Sequence, residues 1–201
     1  MPINLYKCEF YFYPFDNLFN YLSSIPTNNS DTIEHWRILF KKYDILSIDE
    51  LEKYINTYGN NYHEYFQYTH HYEMPQSDYI YHFDIGKILM DKPKRAQLLS
   101  INKLKRIAAF DIPTDNYISK KPIVICKFIT PYNRYLVIDG NHSLANSIYK
   151  RKRYVKTLIR NPVKDDFIFT IDYVMYILNN FLYENPYITQ KHQCLFDSLL
   201  Y

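Results

Sequence analysis

The chain of 201 residues is poor in the residues that loosen or staple a backbone. It has three glycines, so flexible loops are few, and any glycine sits where the backbone has a reason for it. Its three cysteines, Cys8, Cys126 and Cys194, are far apart and show no C-x-x-C spacing. That disfavours a disulfide framework or a zinc site and fits a reducing compartment. No apolar run reaches the roughly 18 residues that read as a membrane span. Glu9 breaks the first apolar run and no basic segment precedes it, so neither a span nor a secretory signal is expected, and a cytoplasmic location is. Internal repeats and low-complexity linkers are also lacking. Charge of one sign is scarce: the net charge is +3 and the pI about 8.5, which permits an anionic partner without demanding one.

What is present is apolar and aromatic. Hydrophobic residues make up 47% of the chain, with 23 tyrosines, so a sizeable core is expected in a single domain. Three segments are expected within it: a strand-and-helix extension over 1–109, a core over 110–160, and helices over 161–201. From Asn4 to Tyr13 apolar and polar residues alternate as in a strand, and Asp16 to Leu22 suits a short helix. Asp31 precedes the stripe Ile33, Trp36, Leu39, Phe40, Tyr43, which predicts a helix with Glu34 at its third position. Ser47 and Glu50 form a capping box for another helix that stops at Gly59. In Tyr62 to Tyr72, His63 and His70 would share a helical face, a spacing open to a metal but more simply read as ordinary histidines. Ser77 to Phe83 reads as a strand that Asp84-Ile-Gly86 breaks. Leu98, Ile101, Leu104 and Ala108 predict an amphipathic helix with Lys103, Lys105 and Arg106 outside. Ile171, Val174, Met175, Leu178 and Phe181 predict a strong helix, and Gln190 to Leu200 a last one.

The stretch Tyr135-Leu-Val-Ile-Asp-Gly-Asn-His-Ser-Leu-Ala145 carries the sharpest local signal. An apolar run enters Asp139-Gly140, then Leu144, Ala145, Ile148 and Tyr149 recur at helical spacing, predicting a buried strand, a tight turn at Gly140 and a helix opening at Asn141. The first N–H groups of such a helix and its dipole favour an anion. A methyl group on residue 140 is expected to stand where that anion would sit.

Together with Lys121-Pro-Ile-Val-Ile-Cys126 before it and Tyr154-Val-Lys-Thr-Leu-Ile159 after it, this block resembles the core of the ParB/sulfiredoxin superfamily, over roughly residues 110–160. The resemblance implies a mixed α/β, α+β fold: a ParB/sulfiredoxin-like core with helical N- and C-terminal additions. It also implies a nucleotide, ATP or CTP with Mg²⁺, held at Asp139, Gly140, Asn141, His142 and Ser143, and a phosphotransferase or nucleotide hydrolase activity. Asp115, with Asp111 as the alternative, then stands nearest the place of the family's general base. Ser143 departs from the pattern, because the family usually has Arg there, and an expected phosphate contact is lost. Sulfiredoxin-like chemistry would need Cys where this chain has Asn141.

Read from the residues alone, Asp139 has two roles open to it, a Mg²⁺ ligand beside a phosphate or a cap on its own turn. Asn141 suits an N-cap, and His142 either an outward donor or a core histidine. Lys150, Arg151, Lys152 and Arg153 follow the helix, where the dipole favours cations. With Arg134, Lys156 and Arg160 they would equally form a nucleic-acid patch on a non-catalytic binding or interaction module, although no helix-turn-helix signature or arginine-rich nucleotide motif is visible.

Overall fold

The computed structural model describes residues 15–43, 65–72, 77–91, 94–105, 121–127, 135–185 and 187–197, together with 49, 52, 54 and 56. The strand expected at Asn4 to Tyr13 lies outside them, as do Ser47, Glu50 and Gly59 of the capped helix, although Asp49, Glu52, Tyr54 and Asn56 are helical. The fold is mixed α+β. Its elements are α1 (Phe15–Ser24), α2 (Ser30–Phe40), β1 (Tyr65–Tyr72), β2 (Ser77–Asp84), α3 (Ile85–Met90), β3 (Gln97–Ser100), β4 (Leu104–Lys105), β5 (Ile123–Cys126), β6 (Tyr135–Asp139), α4 (Asn141–Tyr149), β7 (Tyr154–Arg160) and α5 (Thr170–Glu184). Among the described residues no helix is long and apolar enough to cross a membrane.

The chain divides into two compact units, and the division does not follow the boundaries at 109 and 160. The first takes residues 1–61, 69–81 and 169–201, and the second takes 62–68 and 82–168. Strands β1 and β2, which pair as a two-stranded sheet, therefore contribute to both.

In the first unit the rings pack edge to face. Trp36 is fully buried and meets Phe196 at 5.1 Å and Phe181 at 5.6 Å, while Phe40 meets Phe19 at 5.3 Å and Phe196 at 5.5 Å. This geometry sets the positive edge of one ring against the negative face of the next. The cap of α2 is Asn29 rather than Asp31, its side chain accepting from the Thr32 N–H at 2.9 Å. The Tyr79 hydroxyl donates to buried Asp172 at 2.9 Å. The segment expected as a last helix opens as a 3-10 helix over Gln190–Leu195 and Asp197 is helical, while residues 198–200 lie outside the described residues.

The second unit holds a five-stranded sheet in the order β3-β7-β5-β6-β4. Strand β5 pairs antiparallel with β6 and parallel with β7, which returns after α4, so β6-α4-β7 is the crossover. Every residue of β5 is buried, and Ile123, Ile125, Val137, Val155 and Leu104 close over Leu144 of α4. Here one expectation is overturned. Residues 97–105 form strand β3, one 3-10 turn and strand β4 in place of the expected α-helix, with Leu98 70% exposed, while Arg106 and Ala108 of that expectation lie outside the described residues. The ladder to β7, Gln97 opposite Thr157 through Ser100 opposite Tyr154, satisfies the backbone across the sheet and overrides the local apolar spacing. Likewise His70 falls in β1, so the helical face shared by His63 and His70 does not form, and His63 lies outside the described residues.

Candidate functional site

Strand β6 ends at Asp139, and the chain turns into α4 through Gly140 in the left-handed region, at φ 92° and ψ 25°. Only glycine takes this conformation without strain, and the neighbourhood adds a second constraint. A Cβ on Gly140 would lie 3.2 Å from the Ile123 Cα and 3.3 Å from its Cγ1. This corrects the expectation that a methyl group here would occupy an anion's place: it would press on the backbone of β5 instead. The β5–β6 register slips between Val124 and Ile125, an irregularity beside the corner of the kind that re-aims a strand end.

Gly140 is also the cap of α4, with no side chain capping the helix, and its carbonyl accepts from the Leu144 N–H at 2.9 Å. Asn141 is therefore the first helical residue and not the N-cap. Its side-chain amide reaches back to the Val137 carbonyl at a long 3.5 Å, and its Oδ1 is shielded from solvent without a partner among the described residues. Asp139 is exposed and its side chain makes no hydrogen bond with a described residue, so it does not cap its own turn. His142 is exposed and Ser143 half-buried at the same end. No acidic residue lies in the first helical turn.

The structure thus brings together Asp139, Gly140, Asn141, His142 and Ser143. Asp111, Asp115 and Arg134 lie outside the described residues. Lys150, Arg151, Lys152 and Arg153 sit at the other end of α4, about 13 Å away for a nine-residue helix, and serve a different surface. Arg160 leaves the patch altogether. Its guanidinium donates to buried Asp166 at 2.5–3.0 Å and to the Asp91 carbonyl at 2.8 Å, while Asp166 also accepts from the Val163 N–H. The hydrogen bonds to Asp166 hold the Arg160 pKa above its usual value, outweighing the opposing effect of burial. The guanidinium is thus committed to Asp166 and the Asp91 carbonyl, and its charge is neutralised by a buried carboxylate instead of being offered to a phosphate. Cys126, opposite Arg160 in the ladder, is fully buried, and burial foremost pushes its thiol pKa up, leaving an inert small hydrophobe.

Among the described residues no three His, Cys, Asp or Glu side chains group as a metal site. Mg²⁺ does not require one, because it is commonly held by one or two carboxylates and the phosphates themselves, and exposed Asp139 fits that role.

Two further features stand out at the other end of α4. Arg151 has a positive φ of 52°, and Tyr149 and Tyr154, flanking the four cations, are 55% and 60% exposed. The tyrosines were legible as neighbours of Lys150 to Arg153, whereas nothing in the sequence marks an arginine for a left-handed turn. No family model, curated protein or solved structure matches the chain, so the likeness to the ParB/sulfiredoxin superfamily rests on residues 121–159 alone.

Proposed function

We propose that the corner from Asp139 to Ser143 binds the phosphates of a nucleotide, ATP or CTP, with Mg²⁺ bridging them to Asp139, in a cytoplasmic protein. One observation carries the reading: α4 opens from a bare left-handed glycine with no side-chain cap and an exposed carboxylate immediately before it. Helix N-terminal N–H groups left without a side-chain acceptor favour an oxyanion, and a carboxylate beside that anion calls for an intervening cation. Mg²⁺ would supply charge neutralisation there. His142 would donate to a phosphate oxygen, and Ser143 would offer a hydroxyl where the resembled family has a guanidinium. Phosphoryl transfer or nucleotide hydrolysis follows if Asp115 or Asp111 accepts the proton of the attacking group.

A thermal-shift panel of ATP, ADP and CTP with and without Mg²⁺ tests this. A ligand at a hundred times its Kd stabilises by about 2.7 kcal/mol, and a rise on the order of 5–10 °C is expected with the metal present. Asp139→Ala should abolish the rise while leaving the melting temperature of the free protein nearly unchanged. No rise at millimolar nucleotide overturns the reading.

A second reading, nucleic-acid binding without catalysis, is favoured by the division of charge. The second unit carries 18 Lys and Arg against 8 Asp and Glu, a formal +10, while the first carries 6 against 13, a formal −7. A local excess of that size attracts a polyanion even where the chain total is small.

A further inference from the structure

Helix α4 ends in a closed turn. The Arg151 N–H donates to the Ile148 carbonyl and the Lys152 N–H to the Ser147 carbonyl, both at 2.9 Å, with Arg151 left-handed between them. This is the two-bond C-terminal motif in which glycine usually occupies the left-handed place. An arginine there strains the backbone, yet it fixes four successive cations on an ordered knuckle instead of a loose loop. The Arg153 carbonyl, accepting from the Ile101 N–H at 3.1 Å, ties the far side of the knuckle to the sheet. Among the described residues no acid pairs with Lys150, Arg151, Lys152 or Arg153, in contrast to Arg160.

The aromatic rings are placed as selectively as the charges. In the described part of this unit, the large aromatic side chains left exposed are Tyr149 and Tyr154, one at each end of the cation run. The solvent face continues across β3 and β7, where exposed Leu98 lies opposite Lys156 and Ser100 opposite Tyr154. Cations alone would suit any polyanion, but flat rings beside them gain most from bases that are not already stacked in a duplex.

We propose that the turn from Tyr149 to Tyr154 binds single-stranded nucleic acid, its cations tracking the phosphates and its two tyrosines stacking on bases. The proposal rests on the nucleic-acid reading above and is independent of the corner at Asp139. Duplex is the poorer partner, because the turn offers no recognition helix to a groove and its rings find no open base face.

Fluorescence anisotropy of the full chain with labelled 12-nucleotide single strands and the matching duplex, over a salt series, tests it. Single strands are expected to bind at least about ten times more tightly than duplex, with log K falling against log salt at a slope near −3 for about four phosphates. Tyr149→Ala and Tyr154→Ala should each weaken single-strand binding about ten-fold, and Tyr154→Phe, which keeps the ring, should not. Lys150→Ala with Lys152→Ala should roughly halve the slope. Circular dichroism melts establish that each variant is folded. Equal affinity for both forms, or alanine variants that bind like the wild type, overturns the stacking surface and leaves nucleic-acid binding standing. Absence of binding to any nucleic acid at 50 mM salt ends both. Binding to phosphatidylserine vesicles in its place would overturn the proposal and assign the surface to lipid.

Discussion

The two units of this chain reach stability by different routes, and their charges diverge as sharply as their cores. The first buries rings against rings around Trp36, and the second stacks Ile, Val and Leu from a sheet onto one face of α4. The first holds most of the acids and the second most of the bases. A chain total of +3 is the residue of two large opposite numbers, so the mild net charge misleads about partners. What matters to a ligand is the charge within about a Debye length, roughly 8–10 Å, not the sum over 201 residues.

The hardest way to break that comparison is at the acid buried inside the basic unit. Asp166 is fully buried against Arg160, and Asp166→Ala leaves the guanidinium with only the Asp91 carbonyl and the more distant, exposed Asp91 carboxylate, and the Val163 N–H without its acceptor. We expect a loss of about 3–5 kcal/mol in urea denaturation, the magnitude of a buried pair broken from one side. Asp166→Asn, which retains an acceptor, should lose less. In the acidic unit Trp36→Ala should cost a similar 3–5 kcal/mol by a different cause, the cavity left among Phe181 and Phe196. A cost under about 1 kcal/mol for Asp166→Ala would show that the basic unit does not depend on this pair.

A smaller effect is expected at the corner. Gly140→Ala should cost roughly 1–3 kcal/mol, combining left-handed strain with the press of a methyl on Ile123. Because that methyl faces β5, variant that remains folded should bind nucleotide with unchanged affinity. Urea midpoints and a nucleotide titration separate the two quantities, and an affinity loss beyond the stability loss would place the ligand against Gly140 after all.

How much the sequence discloses follows from where each structural constraint lies. The strand, turn and helix at 135–149 were legible because a continuous apolar run, a scarce glycine and a 3.6-residue period are all local. Helices α2 and α5 were legible for the same reason. Strand β3 was not, because the partner that makes Gln97 to Ser100 extended lies at Tyr154 to Thr157, and apolar residues at 98, 101 and 104 suit a helix as well as two short strands. Nor was the charge division legible, since the first unit is assembled from both ends of the chain and an inner segment. Of the candidate site, the corner residues were readable, while Arg160 looked like a free cation until Asp166 closed on it.

The subtlest prediction sets stability against binding at a single residue. Arg151 occupies a left-handed position that costs a non-glycine residue about 1–2 kcal/mol, and glycine would relieve it at some cost in unfolded-chain entropy. Arg151→Gly should therefore stabilise the protein by roughly 0.5–1 kcal/mol, read as a higher urea midpoint. The same substitution removes one of four cations that no described acid pairs with, and should lower single-strand affinity and flatten its salt slope by about 0.7. Arg151→Ala is the control, because it discards the charge and keeps the strain, and so should lose affinity without gaining stability. If Arg151→Gly is stabilised and binds as before, the strained arginine is an accident of the turn; if stability rises while affinity falls, the basic unit accepts backbone strain at the point where it presents its charge.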